Sequence, residues 1–199
     1  MKFLEQFTLI TDIIFGLMIL LYLYQIVYIA VSMFKRKVPK LPDAKKNHRY
    51  AIFISARNEK GVIGELLDSL RNQTYPDEMY DMYVVADNCT DETAEVARQH
   101  GAIVFERFNQ EEVGKGYALN FLYHNVIERK GEDYYEAFMV FDADNIIDKN
   151  FLREVNKTFD TGEFDAMTTY RNSKNFDENW LTAAYSIWFM HEARHLNYP

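Results

Sequence analysis

The fold predicted for this chain is α/β, a mostly parallel sheet covered by helices on both faces and preceded by one transmembrane helix. Three observations predict it. A long apolar run lies close to the N-terminus, short apolar runs alternate with amphipathic stretches from Tyr50 onward, and polar or acidic residues follow directly on those apolar runs.

The N-terminal run extends from Ile13 to Phe34 and is interrupted only by Gly16, Gln25 and Ser32. At about 1.5 Å per residue it covers about 33 Å, the thickness of a bilayer core. Tyr22, Tyr24 and Tyr28 do not form one stripe, so the run is apolar on all sides and does not read as the core helix of a soluble protein. A signal peptide would need a shorter run, a basic leader and a small-residue cleavage site. Residues 1–34 are therefore read as an N-terminal segment carrying a transmembrane helix, and residues 35–49 as a basic linker stiffened by Pro39 and Pro42. That linker holds Lys35, Arg36, Lys37, Lys40, Lys45, Lys46 and Arg49 against the single acid Asp43. By the positive-inside rule, everything from residue 35 onward is predicted to be cytoplasmic, on a single-pass protein of the plasma membrane. The same cations suit anionic headgroups, at about 1 kcal/mol each. In that compartment the sequons at Asn72, Asn88 and Asn156 are coincidental.

Residues 50–199 are read as one domain. Strands are predicted over 50–55, 82–87, 102–106, 137–144 and 165–170. Helices are predicted from Val62 to Leu70, Asp91 to His100, Gly116 to Arg129, Phe151 to Phe159 and, as a long amphipathic helix, Asn179 to Leu196. In the first of these, Val62, Ile63, Leu66, Leu67 and Leu70 share a face. Strands alternating with helices imply a parallel sheet, and ligands bind such sheets at the carboxyl ends of the strands. The polar clusters 55–59, 87–91 and 142–145 should therefore meet on one edge.

At 199 residues the chain suffices for one soluble domain beside its membrane segment. The net charge of -8 leaves no basic field for a phosphate backbone, which argues against nucleic acid as a partner. The single cysteine, Cys89, excludes an internal disulfide and fits a reducing compartment.

The strongest chemical signal is FDADN, where an apolar strand ends in Asp142 and Asp144. Alternation sends both carboxylates to the same side, where they repel unless a cation joins them. Oxygen ligands suit Mg2+ or Mn2+, which would bridge to a nucleotide diphosphate. Neither standard phosphate motif is present. No G-x-G-x-x-G follows the first strand, and the V-G-K-G around Lys115 lacks the remaining residues of a P-loop.

FISARNE, VVADNCTDETAEVARQHGA, EEVGKGYALN and FDADN stand in the order and spacing of the family 2 glycosyltransferases, and residues 48–199 resemble membrane-bound N-acetylglucosaminyl and cellulose-synthase-like members. The resemblance implies the nucleotide-diphospho-sugar transferase (GT-A) fold. It also implies an inverting, metal-dependent transfer of a sugar, GlcNAc or glucose, from a UDP-sugar to a saccharide or lipid-linked acceptor. Carried over by position, Ser55, Ala56, Arg57, Asn58 and Glu59 would line the uridine and Asp87 would bond the uracil. Lys115 would lie near the base or diphosphate. Asp142 would face the ribose or metal, and Asp144 would bind the metal directly. Asn88, Thr90 and Asp91 read equally well as caps of the following helix. In this family the catalytic base belongs to a later E-D or D-D pair, and processive members add Q-x-x-R-W. Neither occurs between FDADN and Pro199, so the base is expected beyond Pro199 and residues 1–199 alone are expected to bind donor without elongating an acceptor. Were a base present after all, Asp177 and Glu192 would be the first residues to test.

Two other functions fit parts of the sequence. FDADNI approximates the D-x-D-x-[TV] of haloacid-dehalogenase-type phosphatases, but Ile146 replaces the Thr or Val and about ninety residues of α/β pattern precede a motif that usually follows a first strand. A non-catalytic, membrane-tethered nucleotide-binding protein is the third class. H-E-A-R-H at 191–195 matches a zinc-protease pattern, yet a third ligand has only four residues left in which to occur.

Overall fold

A computed structural model of the chain describes residues 2–34 and 41–192; Lys35, Arg36, Lys37, Lys40 and His195 lie outside them. The elements are α1 (Lys2–Phe34), β1 (Tyr50–Ala56), α2 (Ile63–Arg71), a 3-10 turn (Asp77–Met79), β2 (Tyr80–Asp87), α3 (Thr93–Gln99), β3 (Ile103–Arg107), α4 (Lys115–Lys130), β4 (Ala137–Asp142), α5 (Phe151–Phe159) and α6 (Trp180–His191). Leu41–Ala166 form one compact unit, and α1 and α6 belong to a second.

The first unit is built on a parallel sheet of order β3-β2-β1-β4. Its central strands read YAIFISA and YDMYVVAD, rich in the β-branched and aromatic residues that a sheet buried on both faces demands. On one face Ile52, Ile54, Met82 and Val84 pack with Ile63, Leu66, Leu67 and Leu70 of α2, Ala97 of α3 and Leu152 of α5. On the other, Ala51, Phe53, Tyr83 and Val85 pack with Ala118, Leu122 and Val126 of α4. The order reverses direction at β1, since β2 and β3 lie on one side of it and β4 on the other. The carboxyl ends of β1 and β4 therefore frame a topological switch point, the crevice where open α/β sheets bind ligands.

The opposite edge of the sheet is closed by a polar knot. Buried His48 reaches Glu136 through Nδ1 at 2.7 Å and Asp160 through Nε2 at 2.9 Å. Asn156 Oδ1 accepts from the His48 N–H, the Tyr50 hydroxyl and the Tyr75 hydroxyl, while its Nδ2 donates to the Lys46 carbonyl. Asn156 is thus 2% exposed and engaged on all sides. The Lys46 ammonium, and then His48, hold the Glu136 carboxyl down from 4.5 to about 2. Asp160 is held below its ordinary range by the Lys45 N–H and by His48. A carboxylate with a depressed folded-state pKa contributes stability that is present above its unfolded value and lost as pH falls toward the folded one. The melting temperature is therefore expected to fall between about pH 4.5 and pH 2, with a shallower slope in Glu136→Gln. Circular dichroism melts across that range test this, and equal acid slopes for the two proteins would refute it.

Three expectations are corrected. Residues 165–170 form no strand; they are exposed and pair with neither sheet edge, so their backbone groups have no ladder to join. α1 begins well before Ile13, because Thr8 and Thr11 donate their hydroxyls to the carbonyls of Leu4 and Phe7 and so sit in a helix at little polar cost. α6 starts where predicted, on an Asn179–Thr182 capping box, but its polar and apolar sides do not divide as an amphipathic helix requires.

Candidate active site

The register aligns Ser55 with Asp142 across β1 and β4, so the first and third polar clusters do meet at the switch point. β4 ends at Asp142. Ala143 is buried in the core beneath while Asp142 and Asp144 on either side of it are exposed, so both carboxylates point away from the α2 and α5 layer. The Asn145 N–H bonds the Asp142 carbonyl at 3.1 Å, closing a turn, and Asn145 Nδ2 lies 3.3 Å from Asp144 Oδ1. Lys115 reaches the same place from α4, its ammonium bonded to Asp142 Oδ1. Gly114 precedes it at φ +137, a conformation glycine alone adopts without strain, and this delivers Lys115 to the first turn of the helix. Both members of the Lys115–Asp142 pair are about half exposed, so the bond is weak and open to exchange.

The loop after β1 is fixed by its neighbour after β2. Asn58 adopts φ 58, a left-handed conformation that Asn tolerates, and its Oδ1 accepts from the Thr90 N–H at 2.8 Å. The Glu59 N–H donates to Thr93 Oγ1 at 2.8 Å, and the Glu59 carbonyl receives the N–H groups of Val62 and Ile63 where α2 begins. Arg57 is exposed, Ser55 half-buried and Ala56 buried. Asp91 turns toward Thr93, accepting from its N–H at 3.0 Å, and the Thr93 hydroxyl holds the Asp91 carboxyl below the ordinary range. Asn88 does not cap α3. At φ 51 it exchanges two 2.9 Å bonds with the Asn109 backbone and so clamps the loop after β3. Burial pushes the Cys89 thiol pKa up.

Asp87 differs from the other acids. It is 4% exposed, and its Oδ1 receives Arg107 NH1 at 2.7 Å. The pairing of β2 with β3 sets Asp87 opposite Arg107, whose other nitrogen reaches the carbonyl and carboxylate of Glu112. Sequence reasoning missed Arg107. Its signal, opposite charges at the ends of two apolar runs, acquires meaning only once the register is known. A concavity of about 450 Å³ lies beyond it, lined by Arg107, Phe108, Asn109, Tyr117 and His124 among others, but neither Asp142 nor Asp144 reaches it. This volume has its own charged lining, Glu106, Arg107 and Glu112, while Asp142, Asp144 and Lys115 gather at the switch point outside it.

Among the described residues no three Asp, Glu, His or Cys side chains converge on a metal position. Two exposed carboxylates do fit Mg2+ or Mn2+ nonetheless, because such ions keep several waters and complete their shell with substrate phosphates. For zinc, His191 and Glu192 are described and His195 is not.

A model of the glycosyltransferase like family 2 matches residues 48–198. The chain belongs to this family. The chain is 30% identical over 154 residues to a beta-monoglucosyldiacylglycerol synthase of Nostoc, covering 71% of this chain and 31% of the synthase. A 61-residue stretch is 48% identical to 4,4'-diaponeurosporenoate glycosyltransferase of Staphylococcus aureus, covering 30% of this chain and 16% of that one. Among solved structures, a mannosyltransferase of Pyrobaculum calidifontis, in complex with GDP-Man and Mn2+, superimposes with a TM-score of 0.52 at 23% identity, over 73% of this chain and 41% of that one. The fold is thus GT-A. The chain spans about a third of the length of the Nostoc synthase.

Proposed function

We propose that this family 2 chain binds a nucleotide diphosphate sugar at the β1–β4 switch point and belongs to an enzyme that transfers the sugar with inversion to a saccharide or lipid-linked acceptor. The observation that carries the reading is the juxtaposition of Asp142, Asp144 and Lys115 at the crevice. The β1 loop, Ser55 to Glu59, is held rigid by Thr90 and Thr93 and offers a preformed wall for the uridine. Arg107 occupies Oδ1 of Asp87, which leaves Oδ2 for the uracil. Asp142 and Asp144 would hold Mg2+ or Mn2+. When bound, that ion neutralises charge on the departing diphosphate. Lys115 exchanges its exposed bond to Asp142 for a phosphate oxygen, and its charge then favours the leaving group. The Nostoc relative is named a monoglucosyldiacylglycerol synthase and the Staphylococcus aureus relative a diaponeurosporenoate glycosyltransferase, which supports a lipid or lipid-linked acceptor, and GlcNAc or glucose as the sugar follows from the subgroup the sequence resembles.

Calorimetry with UDP, GDP and ADP in the presence of Mn2+ tests the reading, with tightest binding expected for UDP. Absence of binding by all three would refute it, and turnover of a phosphate monoester would favour the phosphatase alternative. For the membrane, α1 is the one helix among the described residues long and apolar enough to cross. The apolar candidate span within α1 is Leu4–Val27; we place the bilayer core over residues 13–34 instead, since an aspartate such as Asp12 costs about 2.5–3.5 kcal/mol at a helix centre. The basic linker then puts the domain in the cytoplasm. Protease added to intact cells is expected to leave residues beyond 50 uncut, whereas cleavage there would reverse the topology.

A further inference from the structure

We propose that α6 lies in the interfacial layer of a lipid bilayer, with its exposed face turned into the membrane. The helix comprises WLTAAYSIWFMH and carries no Asp, Glu, Lys or Arg from Trp180 to His191. Its twelve residues span about 18 Å, well short of the ~30 Å of a bilayer core. An apolar run of this length belongs in a protein core, in a re-entrant segment or at an interface.

Among the described residues, burial argues against the first of these. The covered side is formed by Thr182, Ala183, Ser186, Phe189 and Met190, with Ser186 fully buried. The exposed side is formed by Trp180 at 81%, Leu181 at 49%, Tyr185 at 57%, Ile187 at 60% and Trp188 at 66%, together with Ala184. At about 100° per residue these six fall within about 160° of arc, a continuous face. It is the reverse of a soluble amphipathic helix, because the only polar side-chain atoms it offers are the Tyr185 hydroxyl and the indole N–H groups of Trp180 and Trp188. Tryptophan and tyrosine are the residues that settle at the membrane–water boundary. The ends of α6 are polar, as such a position requires. Asn179 caps the N-terminus, while beyond the C-terminus Arg171 lies 4.9 Å over the Phe189 ring and 3.9 Å from Glu192. α6 also falls in the same compact unit as α1, the helix assigned to the bilayer. The proposal is independent of the sugar transferred and shares with the proposed function only the placement of α1 in a membrane.

The chain has only two tryptophans, Trp180 and Trp188, so its tryptophan emission reads α6 alone. The full chain in phosphatidylcholine–phosphatidylglycerol vesicles is expected to show blue-shifted emission, quenched by lipids brominated near the top of the acyl chain and protected from aqueous acrylamide. Ile187→Glu is expected to reduce the bromolipid quenching and restore acrylamide access. Full acrylamide access in the native chain would place α6 in water and overturn the proposal. Shielding from both quenchers would overturn it equally, since the face would then be covered by protein. Tyr22→Trp in a Trp180→Phe/Trp188→Phe chain reports α1 separately. If that reporter meets the bromolipids while the native tryptophans do not, only the inference about α6 fails; if it does not, the placement of α1 fails.

Discussion

Asp144→Asn is expected to weaken UDP binding in the presence of Mn2+ or Mg2+ by at least about 100-fold, given that even the partners behind metal ligands are worth about 10–100-fold. The carboxylate supplies a full negative charge to a hard cation, and the isosteric amide supplies only a carbonyl dipole. The substitution should leave the fold intact, because Asp144 is exposed and its side chain meets only Asn145 at 3.3 Å. The effect therefore reads the site and not stability, where exposed substitutions cost about 0.5 kcal/mol or less. Calorimetric titration of UDP with metal and with chelator measures it. Equal affinity under both conditions, or a variant that binds as the native chain does, would rule out a metal at Asp144.

Arg107→Leu is expected to destabilise the sheet unit by about 3–5 kcal/mol, because it strands the charge of Asp87 in the interior. The two side chains are 6% and 5% exposed and joined at 2.7 Å, so neither has water to fall back on. Removing both partners is a different matter. A buried pair replaced by apolar groups is often neutral, so Asp87→Leu/Arg107→Leu should be more stable than Arg107→Leu. Thermal melts suffice for the comparison, with a drop of about 10 °C expected for the single variant. A double variant as unstable as Arg107→Leu would show that the cost lies in lost packing around the guanidinium and not in the orphaned carboxylate.

The knot around His48 marks a boundary of what the sequence discloses. His48, Glu136, Asn156 and Asp160 are scattered over more than a hundred positions, and no spacing rule connects them. The same holds for Asp87 and Arg107, which become neighbours only through the pairing of β2 with β3. Local signals carried further. Asp142 and Asp144 were legible as an acidic pair closing one apolar run, although the strand predicted over 137–144 ends at Asp142 and a turn, not alternation, carries Asp144. Even there, the bond from Lys115 to Asp142 required the turn at Gly114 and the packing of α4 on the sheet.

The helix at 180–191 and the segment 165–170 divide the two kinds of knowledge most clearly. Periodicity placed the start of α6 correctly, since a capping box and an apolar run act within one turn of their own sequence. Which side of α6 would be covered, and whether 165–170 would find a strand to pair with, depended on distant elements. The apolar N-terminal helix, the succession of strands and helices in the sheet unit, and the acidic pair at a strand's end follow from hydrophobic period and turn chemistry, which are local. The strand order, the switch point between β1 and β4, and the partners of Asp87, His48 and Lys115 follow from which distant surfaces bury one another, and no local pattern encodes that.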